Sequence, residues 1–141
     1  MLRLILSGLL LLPLQVLAEW VLDPAASSLT FASTKNGEIT EQHRFTQLAG
    51  SVRDNGEARL TINLASVDTR IPIRDERMRD LLFQVTQFPS ATFSTRLALA
   101  PILELQDESS YSTLISGELD LHGAKIVLEV PVEVKIGRAH V

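Results

Sequence analysis

The sequence predicts an all-β, antiparallel up-and-down barrel interrupted by one short helix. Three observations carry that expectation. Short runs of alternating apolar and polar residues recur along the 141 residues, each reading as a half-buried strand. Turn signals separate them: Asn36-Gly37, Asp54-Asn55-Gly56 and His122-Gly123. One window alone switches to helical spacing. Consecutive strands joined by short turns favour an up-and-down barrel, and eight strands make one just wide enough to be filled by side chains or to hold one small ligand. The length is that of one domain.

The chain opens on a segment that does not belong to this pattern. Residues 1–18 carry Arg3, an apolar run over 4–12, Pro13, and Val16-Leu17-Ala18 with small residues at −3 and −1 of a cleavage point. This is the layout of a secretory signal peptide, and cleavage after Ala18 is expected. A membrane anchor is the alternative, but the run falls short of the ~20 residues a bilayer requires. No Cys stands at the cut, so a lipoprotein anchor is excluded. An export signal in a chain without Cys suits a bacterial periplasm better than a disulfide scaffold, and no stable membrane insertion is expected after cleavage.

Trp20-Val21-Leu22 begins the domain as a short strand, stopped by Asp23-Pro24. Residues 28–34 turn Leu29 and Phe31 to one face and Ser28 and Thr30 to the other. Residues 38–51 are only weakly patterned through Ile39, Phe45 and Leu48. The clearest strand is 58–67, with Ala58, Leu60, Ile62 and Leu64 on one face. In 75–85 the period changes: Met78, Leu81, Leu82 and Val85 form one face of a helix, which Phe88-Pro89 terminates. Alternation returns in 91–99, 111–121 and 125–135. Pro131 marks the last of these as an edge strand or a bulge.

That count is about seven strands and one inserted helix. Val130, Val132 and Val134 are still alternating when the final residues begin. The string Ile136-Gly137-Arg138-Ala139-His140-Val141 resembles one translated frame of a common sequencing adapter. Residues 136–141 are therefore expected to be an artefact, with the domain covering 19–135 and truncated before its last strand or strands. A natural polar tail is the alternative.

The chemistry is sparse. A net charge of −4 lacks the basic stripe that nucleic-acid binding needs. The absence of Cys removes disulfides, thiolate metal sites and Cys nucleophiles. His43 lies in a polar stretch and His122 in a turn, neither with a second ligand at metal spacing, and both read as solvated surface. No nucleophile elbow, phosphate loop or zinc motif occurs. No enzyme activity, cofactor or metal is expected.

Four segments, in order, carry a family resemblance. They are Trp20-Val21-Leu22-Asp23-Pro24 with Ser28-Leu29-Thr30-Phe31; Ser66-Val67-Asp68-Thr69 with Arg74-Asp75 and Met78-Arg79; Phe88-Pro89-Ser90-Ala91-Thr92-Phe93-Ser94; and Gly117-Glu118-Leu119-Asp120-Leu121-His122-Gly123. Together they resemble the YceI-like family over nearly all of 20–135. The chain departs from the family pattern in Gly123-Ala124-Lys125-Ile126-Val127, which lacks a Pro, in Pro72, and in its low aromatic content. The resemblance implies a lipocalin-like barrel with an elongated apolar interior, a periplasmic location, and a binding or carrier role for an apolar isoprenoid lipid. A structural or stress-related scaffold domain is the alternative.

On that reading Phe31, Phe45, Leu60, Ile62, Leu64, Phe93 and Leu119 either line a tunnel or fill a core. Phe83 and Phe88, at the helix end, either cover the interior or anchor the helix. Arg74 and Asp75 enter the helix as a structural pair, Asp75 favouring the helix dipole, or Arg74 contacts a ligand head group. Oligomeric state is not legible in the sequence.

Overall fold

The structure, a computed structural model, describes residues 2–14, 19–106 and 108–137. Its strands are β1 (Leu2–Ser7), β2 (Leu11–Leu14), β3 (Glu19–Leu22), β4 (Ser28–Lys35), β5 (Ile39–Phe45), β6 (Leu48–Val52), β7 (Glu57–Asn63), β8 (Val67–Asp68), β9 (Ser90–Arg96), β10 (Ser110–Leu121) and β11 (Ala124–Lys135). Every pairing between them is antiparallel. Two short helices intervene, α1 (Pro72–Arg77) and α2 (Leu99–Leu103).

The all-β antiparallel class expected from the alternation is what the chain adopts. The strands do not close into one ring. They form a four-stranded sheet, β1-β4-β5-β8, and a seven-stranded sheet, β11-β10-β9-β7-β6-β3-β2. Among the described residues the chain crosses between the sheets five times, and two of the crossings show how. Between β3 and β4, Asp23 caps a single 3₁₀ turn by accepting from the Ala25 N–H. Between β5 and β6, the Thr46 N–H bonds the Ser66 carbonyl instead of a ladder partner. Corners of this kind let consecutive strands belong to different sheets. They also explain the weak pattern of 38–51: Phe45 and Leu48 are both buried, yet three residues apart across a bend.

The residues expected in the signal peptide are drawn into the sheets. β1 pairs with β4 and β2 with β3. The cleavage point after Ala18 lies outside the described residues, as do Arg138, Ala139, His140 and Val141.

The turns follow their chemistry. His122 and Gly123 both have positive φ, 55° and 74°, which is what a two-residue type I′ hairpin requires. Asn36 and Gly37 are also left-handed, at 53° and 72°, but Lys35 pairs with Ile39, so Glu38 is added to that loop. Pro131 sits on β11, whose one pairing among the described residues is with β10, an edge position that tolerates the missing N–H.

Three expectations need correction. The strand expected over 58–67 ends at Asn63, whose side chain accepts from the Ala65 N–H and turns Leu64–Ser66 into a 3₁₀ turn. The strand expected over 91–99 ends at Arg96, and α2 follows as a second helix. The inserted helix begins at Pro72, a first-turn position that suits its fixed φ and absent N–H, and its second half is π-helical over Met78–Phe83. The wider turn changes which side chains face inward. Phe83 is buried and Met78 packs on the core, whereas Leu81 and Leu82 are 73% and 54% exposed.

The core lies between the two sheets. Leu29, Phe31 and Phe45 come from one; Leu22, Ile62, Ala91 and Leu119 come from the other. Phe83 joins them from the π-helical segment.

Candidate functional site

Strand register sets the site. Phe31 on β4 lies opposite His43 on β5, Leu29 opposite Phe45, and Ser33 opposite Glu41. Side chains directly opposite share a face of the sheet. The inward face of this hairpin therefore grades from apolar at Leu29 and Phe45, through Phe31 and His43, to polar at Ser33 and Glu41. Four rings run along it in contact: His43 on Phe31 (centroids 5.1 Å), Phe31 on Phe45 (5.0 Å) and Phe45 on Phe83 (5.7 Å).

At the apolar end the two sheets enclose a small cavity of about 20 Å³. Its lining is Phe31, Phe45, Ile62, Leu64, Phe83, Ala91, Leu119 and Leu121. The sequence reasoning singled out Phe31, Phe45, Ile62, Leu64, Phe83 and Leu119, and the fold brings these six to one place. It missed Ala91, too small to read as a wall residue, and Leu121, which lies next to the His122-Gly123 turn. Leu60 and Phe93 are half-buried and pack against the same core from outside the cavity lining. Phe93 lies across Gly117, where an added Cβ would come within 2.3 Å of the ring. Phe88 is elsewhere, its ring tilted against His122 with centroids 4.4 Å apart. A cavity of this volume is about the size of one water, so the interior is nearly filled. A larger, open groove of about 400 Å³ lies outside it against Gln47, Ala49, Thr61 and Asn63.

The polar end is a network. The Arg74 guanidinium donates from Nη1 to Glu41 Oε2 at 2.7 Å and from Nη2 to the Thr69 carbonyl at 2.8 Å. The Thr69 N–H donates to Asp75 Oδ1 at 2.8 Å, and the Thr69 hydroxyl donates to the same oxygen. Asp75 stands in the first turn of α1, where the dipole favours a carboxylate. Arg74 and Asp75 thus tie the start of α1 to β5 and to the loop after β8.

His43 departs from expectation. It is 3% exposed, not solvated. Its Nε2 meets the Ser33 hydroxyl at 2.8 Å. Its Nδ1 and the Nε of Arg74 are buried and have no hydrogen-bond partner among the described residues. Burial pushes the His43 pKa below its ordinary value, the Arg74 charge pushes the same way, and Glu41 and Asp75 partly oppose them. The net push is toward the neutral ring. Among the described residues no group of three His, Cys, Asp or Glu side chains is placed to hold a metal ion, and no helix is long and apolar enough to cross a membrane.

Curated proteins give no match. Among solved structures, a polyisoprenoid binding domain from Saccharophagus degradans, implicated in plant cell wall breakdown, is similar with a TM-score of 0.72. Its identity to this chain is 30%, over 98% of this chain and 70% of that one. The family model of the YceI-like domain matches residues 20–141. A match of that extent means that this chain belongs to the YceI-like domain family.

Proposed function

We propose that this protein binds a long apolar, isoprenoid-type lipid between its two sheets, and that it does so as a carrier in a bacterial periplasm after residues 1–18 are removed. The observation that carries the reading is the convergence of apolar side chains from both sheets on one place, in a chain similar to a polyisoprenoid binding domain. An isoprenoid needs little specific chemistry. Its transfer out of water yields about 4 kcal/mol for each five-carbon unit. Specificity then comes from the width and length of the channel and from a few polar groups at its mouth. The layout of 1–18 and the family match support export.

The nearly filled interior sets a condition on this reading. A prenyl chain needs far more than 20 Å³, so binding must displace a side chain from the core. Phe83 is the group best suited to move. It is carried by a π-helical turn whose neighbours Leu81 and Leu82 face outward, and π-helical turns recur at functional sites. The filled core also favours a second reading, a scaffold domain whose apolar residues serve only stability.

Native mass spectrometry with lipid extraction separates the two. The carrier reading expects a one-to-one adduct with a prenyl lipid, carried through purification or taken up from added geranylgeraniol. A clean unliganded mass with no uptake would overturn it in favour of the scaffold.

A further inference from the structure

We infer that His43 and Arg74 form the polar terminus of the lipid site and select a neutral oxygen-headed chain, an alcohol or a carbonyl, over a diphosphate. The inference rests on the lipid-binding reading above and adds the head group to it.

Three observations combine. First, His43 Nδ1 and Arg74 Nε are buried without a partner among the described residues. Buried polar atoms are nearly always satisfied, and those that are not call for an explanation. Second, both belong to one place. Arg74 reaches Glu41, two residues from His43 on the same face of β5, and the Arg74, Glu41 and Asp75 charges all act on His43. Third, this place ends the ring series that leads from the cavity. The tail would lie against Phe45 and Phe31, and the head would arrive at His43. Glu41 and Arg74 are 48% and 31% exposed at their side chains, so the head would stand at the mouth, beside water.

The charge present decides the head-group class. Arg74 already pairs with the Glu41 carboxylate, the Asp75 carboxylate also acts on this place, and burial with the Arg74 charge disfavours a charged His43 ring. The cluster carries one positive charge against two negative ones. A diphosphate would meet net repulsion there, and Arg74, the cation at that place, is already paired with Glu41. A hydroxyl oxygen can accept from Arg74 Nε–H and donate to an unprotonated His43 Nδ1. A carbonyl oxygen can accept from Arg74 Nε–H, and from His43 when Nδ1 carries the proton.

The test compares three probes of similar tail on the intact protein: geranylgeraniol, the hydrocarbon phytane and geranylgeranyl diphosphate. We expect the alcohol to bind about tenfold more tightly than the hydrocarbon, the worth of one well-made hydrogen bond to a buried group. The diphosphate should bind more weakly than the alcohol. His43→Phe keeps the ring packing and Arg74→Lys keeps the charge beside Glu41. Each should abolish the preference for the alcohol over the hydrocarbon. The His43 ring ¹⁵N resonances of the wild type should shift on adding the alcohol and stay fixed on adding the hydrocarbon, a readout independent of either variant folding. Equal binding of alcohol and hydrocarbon, or tightest binding of the diphosphate, would overturn the inference while leaving the lipid-binding reading standing. Uptake of none of the three would overturn both.

Discussion

The β4–β5 and β10–β11 hairpins have similar local chemistry, yet the outer strand of the second has the opposite fate to the first. Each turns on two consecutive residues at positive φ. β10–β11 has the longer ladder, twelve residue pairs against seven. Yet β4–β5 supplies Leu29, Phe31, His43 and Phe45 to the buried interior, whereas no residue of β11 is buried and Val127 is 73% exposed. Ladder length does not decide burial. β4–β5 faces the second sheet and is covered by Phe83; β11 is an outer edge with β10 as its neighbour. Hydrogen bonds make a hairpin, and what packs over it makes it core.

The sharpest way to break this comparison is to remove one side chain from each. Phe31→Ala, in the fully covered hairpin, should cost about 3–5 kcal/mol. Val132→Ala, half-buried on β11, should cost about 1 kcal/mol or less. Urea midpoints at constant slope check both, and equal losses would mean that the two faces are equally covered.

A smaller effect is expected on the inner strand of the second hairpin. Gly117 on β10 lies beneath the Phe93 ring, and an added Cβ would also come within 2.7 Å of the Ser94 carbonyl oxygen. Gly117→Ala should cost about 1–3 kcal/mol through overpacking. A neutral result in thermal unfolding would show that the ring moves aside freely.

The smallest effect is electrostatic and belongs to β4–β5 alone. The folded-state pKa of His43 is lowered, so the unfolded chain binds its proton first as pH falls. Stability from the neutral ring is therefore complete above the ordinary value of 6.5 and is lost as pH falls from there through the folded value. Between pH 7.5 and 5.5 the wild type should lose more stability than His43→Phe, measured as the shift in urea midpoint. Parallel losses in the two proteins would contradict the assignment.

The same two hairpins show what the sequence could reveal. At β10–β11 the signals are local and agree: a two-residue turn, alternation on both sides, and an edge proline. At β4–β5 they mislead by one residue. A two-residue Asn36-Gly37 loop would pair Lys35 with Glu38 and turn His43 outward; the added Glu38 shifts the register and brings His43 in. A slip of one residue exchanges every side chain between faces, so the place of His43 at the polar end was not legible, although Arg74 was. The helical segment shows the same limit. Pro72 marks its start in the sequence, but the widening that buries Phe83 and exposes Leu81 and Leu82 depends on the core beneath. The apolar end was legible because alternation in β4, β7 and β10 already places Phe31, Ile62 and Leu119 inward. Which of them meet across the two sheets depended on corners that carry no period.

The central claim is that the lipid enters the space between the sheets and does not spread on the open β10–β11 face. Methyl-resolved NMR during titration with geranylgeraniol tests it most directly. The account predicts saturable shifts at Ile62, Leu64 and Leu119, with Val130, Val132 and Val134 unmoved. Shifts confined to those three valines, with the interior methyls silent, would contradict it.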